Sequence, residues 1–204
     1  MGLTAPDWET LRQKIQEWLY KIPEEVSSND PLFVKLTGLT QAVLKKNWDG
    51  GGMLTSCNSF AGTVAREIGV PGKSVLAKGV LDISLANKEV PGCWQEANTA
   101  EACLNDVTPN AGDIYSGWFK GKYKGKDFFQ KWGHVGIVYS YEPDGTWWLV
   151  QGGQGGPKSG VDFIRWKSAK FDRTGINGWI NIAKYLMPDG PERAESIHEH
   201  QSAR

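Results

Sequence analysis

The 204-residue chain carries 23 basic and 23 acidic side chains, a formal charge of zero that excludes the broad positive field of a nonspecific nucleic-acid binder. Hydrophobic residues at 40% and charged residues at 23% describe a globular chain. No apolar run reaches the roughly 18 residues that a membrane-crossing helix needs, so membrane insertion is not expected.

Residues 5–21 read as an amphipathic helix, because Trp8, Leu11, Ile15, Trp18, Leu19 and Ile22 recur at three- and four-residue steps, with Thr4 and Asp7 as a capping box and Pro23 as the stop. A second helix is expected from Asp30 as N-cap, with Pro31 in its first turn, and a stripe of Phe33, Leu36, Leu39, Val43 and Leu44 running to Asn47. Together these are expected to form an N-terminal helical hairpin over 1–46. The glycine-rich NWDGGGMLTS leads into a third helix, whose repeat of Phe60, Val64, Ala65 and Ile68 ends at Gly69 and Pro71 and puts Cys57 at its N-terminus. A short helix is expected near 76–87, followed by a polar loop.

Beyond Gly112 the hydrophobic period becomes that of strands: DIYSGW, GHVGIVYSY, TWWLVQ, GVDFIRW and GWINIAKYL. Glu142-Pro143-Asp144-Gly145 marks a turn, so 133–141 and 146–151 should pair as an antiparallel hairpin. A helical first half and an antiparallel sheet in the second predict an α+β fold, one domain over 1–186, with a polar tail over 187–204 expected to be disordered. The basic stretch KGKYKGK is read as a solvated loop.

A thiol at a helix start meets unpaired backbone N–H groups and the positive end of the helix dipole, which favour the nucleophilic thiolate. His134 in WGHVGIVY sits at a strand edge, where it is placed to act as base toward Cys57. If the hairpin pairs as expected, the end of its second strand returns to the start of its first, which brings Gln151 beside His134 to hold the imidazole in one tautomer; Gln154 is the fallback. The backbone N–H of Cys57 is the expected oxyanion donor. Substrate contacts are assigned to Trp48, Trp132, Gln154 and the loop GGQGGPKSG, each of which also suits core packing or a flexible loop. Three cysteines permit at most one internal disulfide, and Cys93 with Cys103, ten positions apart in a polar stretch, is the candidate pair in an oxidising compartment. No metal site or cofactor is expected: no C-x-x-C, H-E-x-x-H or P-loop pattern occurs.

TSCNSFAGTVAREIGVPG (55–72), NAGDIYSGW (110–118) and GHVGIVYS (133–140), in that order, resemble the NlpC-type and CHAP-type cysteine peptidases and amidases that cut bacterial peptidoglycan. The resemblance spans roughly 47–155 and implies a papain-like catalytic core within 47–186, with Cys57 as nucleophile, His134 as base and Gln151 as the polar third residue. Asn58 stands where a small Ser often follows the Cys, and Gln151 where His, Asn or Glu is more usual. The implied activity is hydrolysis of an amide bond in the stem peptide. The compact form, beginning MGLTAPDW without a signal-peptide pattern, looks like the amidase effectors of type VI secretion: made in the cytoplasm, acting in a rival's periplasm, and met by a cognate immunity protein. Two other readings stay open: a papain-like toxin that deamidates or cleaves a host protein, and a noncatalytic binding module of the same fold.

Overall fold

The computed structural model describes residues 5–79, 83–105, 107–123 and 126–186. The expected disorder of 187–204 and the Thr4 cap lie outside the described residues. The fold is α+β, built on a seven-stranded antiparallel sheet.

Helix α1, Ala5–Tyr20, buries Ile15 and Leu19 and is followed by strand β1, Glu25–Ser27, which the sequence reading did not anticipate. The single second helix expected over 30–47 is two: α2, Pro31–Thr37, and α3, Gln41–Asp49. Gly38 explains the break, since it takes the left-handed conformation (φ +70°) and closes α2 by donating to Val34 O, after which Thr40 Oγ1 accepts from Val43 N–H to start α3. The apolar stripe continues across the break, so periodicity alone does not reveal it. Asp30 caps α2 as expected, accepting from Leu32 N–H.

Helix α4, Cys57–Glu67, begins at Cys57 and is buried continuously from Phe60 to Ala65, with Phe60, Val64 and Ala65 in the core. The helix expected at 76–87 forms later, as α5, Ile83–Glu89; Leu76 and Ala77 are buried in turns before it. The stretch expected to be loop holds strand β2, Trp94–Glu96, and helix α6, Ala100–Leu104. Strands β3, Ile114–Tyr123, and β4, Lys126–Tyr141, pair from Ile114–Ile137 through Tyr123–Lys126, so the described residues of KGKYKGK, 120–123 and 126, lie in paired strands rather than in a loop. β5, Thr146–Gln151, and β6, Phe163–Lys170, follow. GWINIAKYL splits: β7 is Ile176–Ile180, and α7, Ile182–Leu186, is helical rather than extended. Asn181 caps that last turn, its side chain accepting from Lys184 N–H.

The sheet order is β1-β6-β5-β4-β3-β7-β2. The main core joins α1, α2, α3 and α4 to Ile114, Val135, Ile137, Val150, Ile164 and Ile180 of the strands. A second cluster holds Tyr115, Val138, Trp147, Leu149, Ile176 and Trp179.

Asp113, just before β3, is 2% exposed and accepts backbone N–H bonds from Asn110 (2.8 Å) and from Ile182 (3.0 Å), so it pins the start of α7 to the central sheet. Asp113→Ala removes the acceptor from one buried and one part-buried N–H group and is expected to lower unfolding stability by about 2–3 kcal/mol, read from a urea denaturation curve. An unchanged midpoint would remove this carboxylate from the framework.

Candidate active site

Cys57 enters the site because the backbone before it is held on three sides. Ser56, fully buried, donates its N–H to Asp162 Oδ2 (2.8 Å) and accepts from Gly153 N–H on its hydroxyl (2.9 Å). Asp162 has no exposure and also accepts from Gly155 N–H (3.2 Å) and Phe163 N–H (2.7 Å) on its other oxygen. Its own N–H goes to Ser28 Oγ (3.0 Å), which ties β1 into the same knot.

The glycines after β5 are required by this close approach. A Cβ on Gly152 would stand 2.9 Å from Ser56 O, and one on Gly153 would stand 3.1 Å from Cys57 Cβ. Gly153 also has φ +72°, which favours glycine on conformational grounds. The head of the segment read from sequence as a groove or flexible loop, Gly152–Gly153, is therefore packed across the start of α4, while residues 157–160 are exposed and the segment closes on itself through a Gly156–Val161 bridge.

His134 is half-buried on β4. Its Nε2 lies 2.9 Å from Gln151 Oε1 and 2.9 Å from Gln154 Nε2. The β4–β5 register, Ile137 opposite Val150, brings the end of β5 beside His134 as the hairpin argument anticipated. Gln151 is 4% exposed, so its amide is fixed in place. One ring nitrogen cannot donate to Gln151 and accept from Gln154 at once, so each glutamine selects a different tautomer. The Gln151 contact selects the Nε2–H form and leaves the Nδ1 lone pair as the basic atom. Burial lowers the His134 pKa from 6.5, against the opposing effect of the Gln151 bond; Lys167 adds to the lowering and Asp162 offsets it.

Cys57 and His134 share their neighbours. Cys57 Cβ borders Gly153, and the next residue, Gln154, touches His134. The Tyr115 ring meets the His134 ring edge-on at 6.3 Å, and its hydroxyl pKa is raised well above the usual phenol range by burial and then by the nearby Cys57. Thr55 Oγ1 lies 3.5 Å from Cys57 Sγ. Cys57 itself is 9% exposed. As the first residue of α4, it has a backbone N–H with no carbonyl acceptor within the helix.

Other assignments fall differently. Trp48 is 8% exposed, packs in the main core and donates its indole N–H to Leu54 O (2.8 Å), so it is a core residue and not a groove wall. Trp132 is on β4, with its side chain outside the described residues. Gln154 is engaged with His134. Cys93 and Cys103 are not joined: Cys93 is fully buried, with its thiol pKa pushed up to about 11 by desolvation, and Cys103 is exposed. Among the described residues no group of three or more His, Cys, Asp or Glu is arranged to hold a metal ion, and no helix is long and apolar enough to cross a membrane.

Asp162, Ser56 and Tyr115 were not singled out from sequence. Asp162 had a faint signal as the single acid within an apolar strand segment, GVDFIRW, and Ser56 as the residue before a helix start. No family model matches this chain, no curated protein matches it, and no solved structure matches it.

Gln151→Glu would set a carboxylate against the imidazole. The wild-type His134 ring is expected to titrate below pH 6.5 and the variant ring above it, followed by NMR of the ring protons. Identical titrations would remove Gln151 from contact with the ring.

Proposed function

We propose that this chain is a cysteine amidase or endopeptidase with a papain-like core, hydrolysing an amide bond in the stem peptide of peptidoglycan. The observation that carries the reading is the joint placement of Cys57, opening α4 beside Gly153, and His134, whose Nε2 is occupied by Gln151. With Nε2 occupied, Nδ1 remains for proton exchange with the thiol. The two-sided arrangement is what a nucleophile and its base need.

In this mechanism His134 Nδ1 takes the Cys57 proton as Sγ attacks the carbonyl carbon. The developing oxyanion is met by the Cys57 backbone N–H at the start of α4. His134 then gives its proton to the leaving amine, the C–N bond breaks and a thioester remains. Water, deprotonated by the same nitrogen, attacks the thioester and releases the acid and the free thiol. Burial keeps the imidazole neutral at pH 7, the form that a base requires.

The choice of peptidoglycan rests on the order of the three segments around Cys57, Gly112-Asp113 and His134. The same resemblance supports a type VI effector acting in the periplasm of a target cell, with an immunity protein that covers the Cys57 cleft. Purified protein is expected to release muropeptides cut at a stem amide from sacculi, identified by mass spectrometry. Cys57→Ala and His134→Ala are each expected to slow this by about a thousandfold or more. Digestion by Cys57→Ala at the wild-type rate would overturn the reading.

A further inference from the structure

A cavity of about 710 Å³ lies away from Cys57, toward the ends of the central strands opposite His134 and Gln151. Four aromatic residues line it: Tyr20 from the end of α1, Tyr139 of β4, Trp148 of β5 and Trp166 of β6. Trp148 is 41% exposed and Tyr20 75% exposed, so core packing does not account for either. Both are exposed large aromatic side chains, and both face one cavity.

The floor beneath them is rigid. Trp166 donates its indole N–H to Ile22 O (3.0 Å) and meets Tyr139 edge-on at 4.9 Å, while Gln16 holds the Tyr139 carbonyl (2.9 Å). The polar lining combines the carboxylates of Glu24 and Glu142, the hydroxyls of Ser140 and Ser168, and the ammonium of Lys167. Ser140 Oγ donates to Glu142 Oε1 (2.8 Å), and among the described residues neither glutamate is in an ion pair.

A pyranose ring has a flat C–H face that lies on an aromatic ring and an equatorial rim of hydroxyls that donate to carboxylates. Fixed indole and phenol faces bordered by carboxylate acceptors and by hydroxyl and ammonium donors match both halves of that ligand. A lone alkylammonium group would also suit aromatic faces and carboxylates, but the volume exceeds its needs and falls within the roughly 300–1,000 Å³ that takes a larger ligand.

We propose that the Tyr20–Trp148 cavity is a saccharide-binding site for a chain of N-acetylhexosamine rings. Saccharide binding here stands on the cavity alone; the choice of N-acetylhexosamine rings, and their use to dock the glycan backbone of the cell wall, rest on the amidase reading.

The test is titration of the full chain with the N-acetylglucosamine hexamer, followed by tryptophan fluorescence and calorimetry. The hexamer carries no stem peptide, so the readout does not depend on hydrolysis. Saturable binding is expected, weakened by at least about tenfold in both Trp148→Ala and Tyr20→Ala and unchanged in Cys57→Ala. Tyr20, being so exposed, provides a variant whose fold is not at risk. No saturation at millimolar hexamer, or wild-type affinity in Tyr20→Ala, would overturn the proposal. So would tetramethylammonium binding where the hexamer does not, or sedimentation showing that a second copy covers the cavity. A hexamer-binding protein that leaves sacculi intact would sink the amidase reading while sparing this one.

Discussion

A carboxylate with no access to water, Asp162, fixes the geometry around Cys57. Removing such a group from solvent costs several kcal/mol unless its oxygens find donors. Here three backbone N–H groups supply them, from Ser56 before α4, Gly155 in the loop after β5, and Phe163 at the head of β6. Three segments far apart in sequence are thus held to one side chain. Ser28 extends the hold to β1, and Gln41 on α3 continues it by accepting from Ser28 Oγ and donating to Gly160 O.

The chemistry of the site depends on that knot in two ways. It aims the first turn of α4, and with it the Cys57 N–H and thiol, toward the end of β5. It also stretches the Gly152–Gln154 segment across the helix start, which delivers Gln154 to the ring that Gln151 already holds. The imidazole is left half-buried and neutral, with its hydrogen bonds to the Gln151 and Gln154 amides. A glutamine orients the ring and supports a positive charge on it only through a neutral hydrogen bond, without the full charge of a carboxylate. The arrangement therefore suits a neutral thiol–imidazole pair that transfers its proton as the carbonyl is attacked.

Much of the framework was legible in the sequence because it follows from short-range rules. The stop at Pro23, the Asp30 cap, the start of α4 at Cys57 and the β4–β5 hairpin each rest on a local signal. The Gln151–His134 contact was also within reach, since antiparallel pairing fixes which ends meet. What the sequence hid is long-range or ambiguous in period. The Gly38 break leaves the apolar stripe intact, and α7 carries an apolar run too short to separate helix from strand. Trp48 reads equally as groove or core until its indole is seen to reach Leu54. Asp162 meets Ser56 across 106 positions, and no local pattern announces a contact of that span.

Whether sulfur and imidazole act as one unit is open to a single experiment: alkylation of Cys57 by iodoacetamide, followed by intact mass from roughly pH 5 to 9, in wild type and in His134→Ala. Coupled groups give a wild-type profile that rises as His134 becomes neutral, and at pH 7 the variant reacts at least about tenfold more slowly. Superimposable profiles would mean that the thiol ignores the ring, and the hydrolytic role argued for this site would fall.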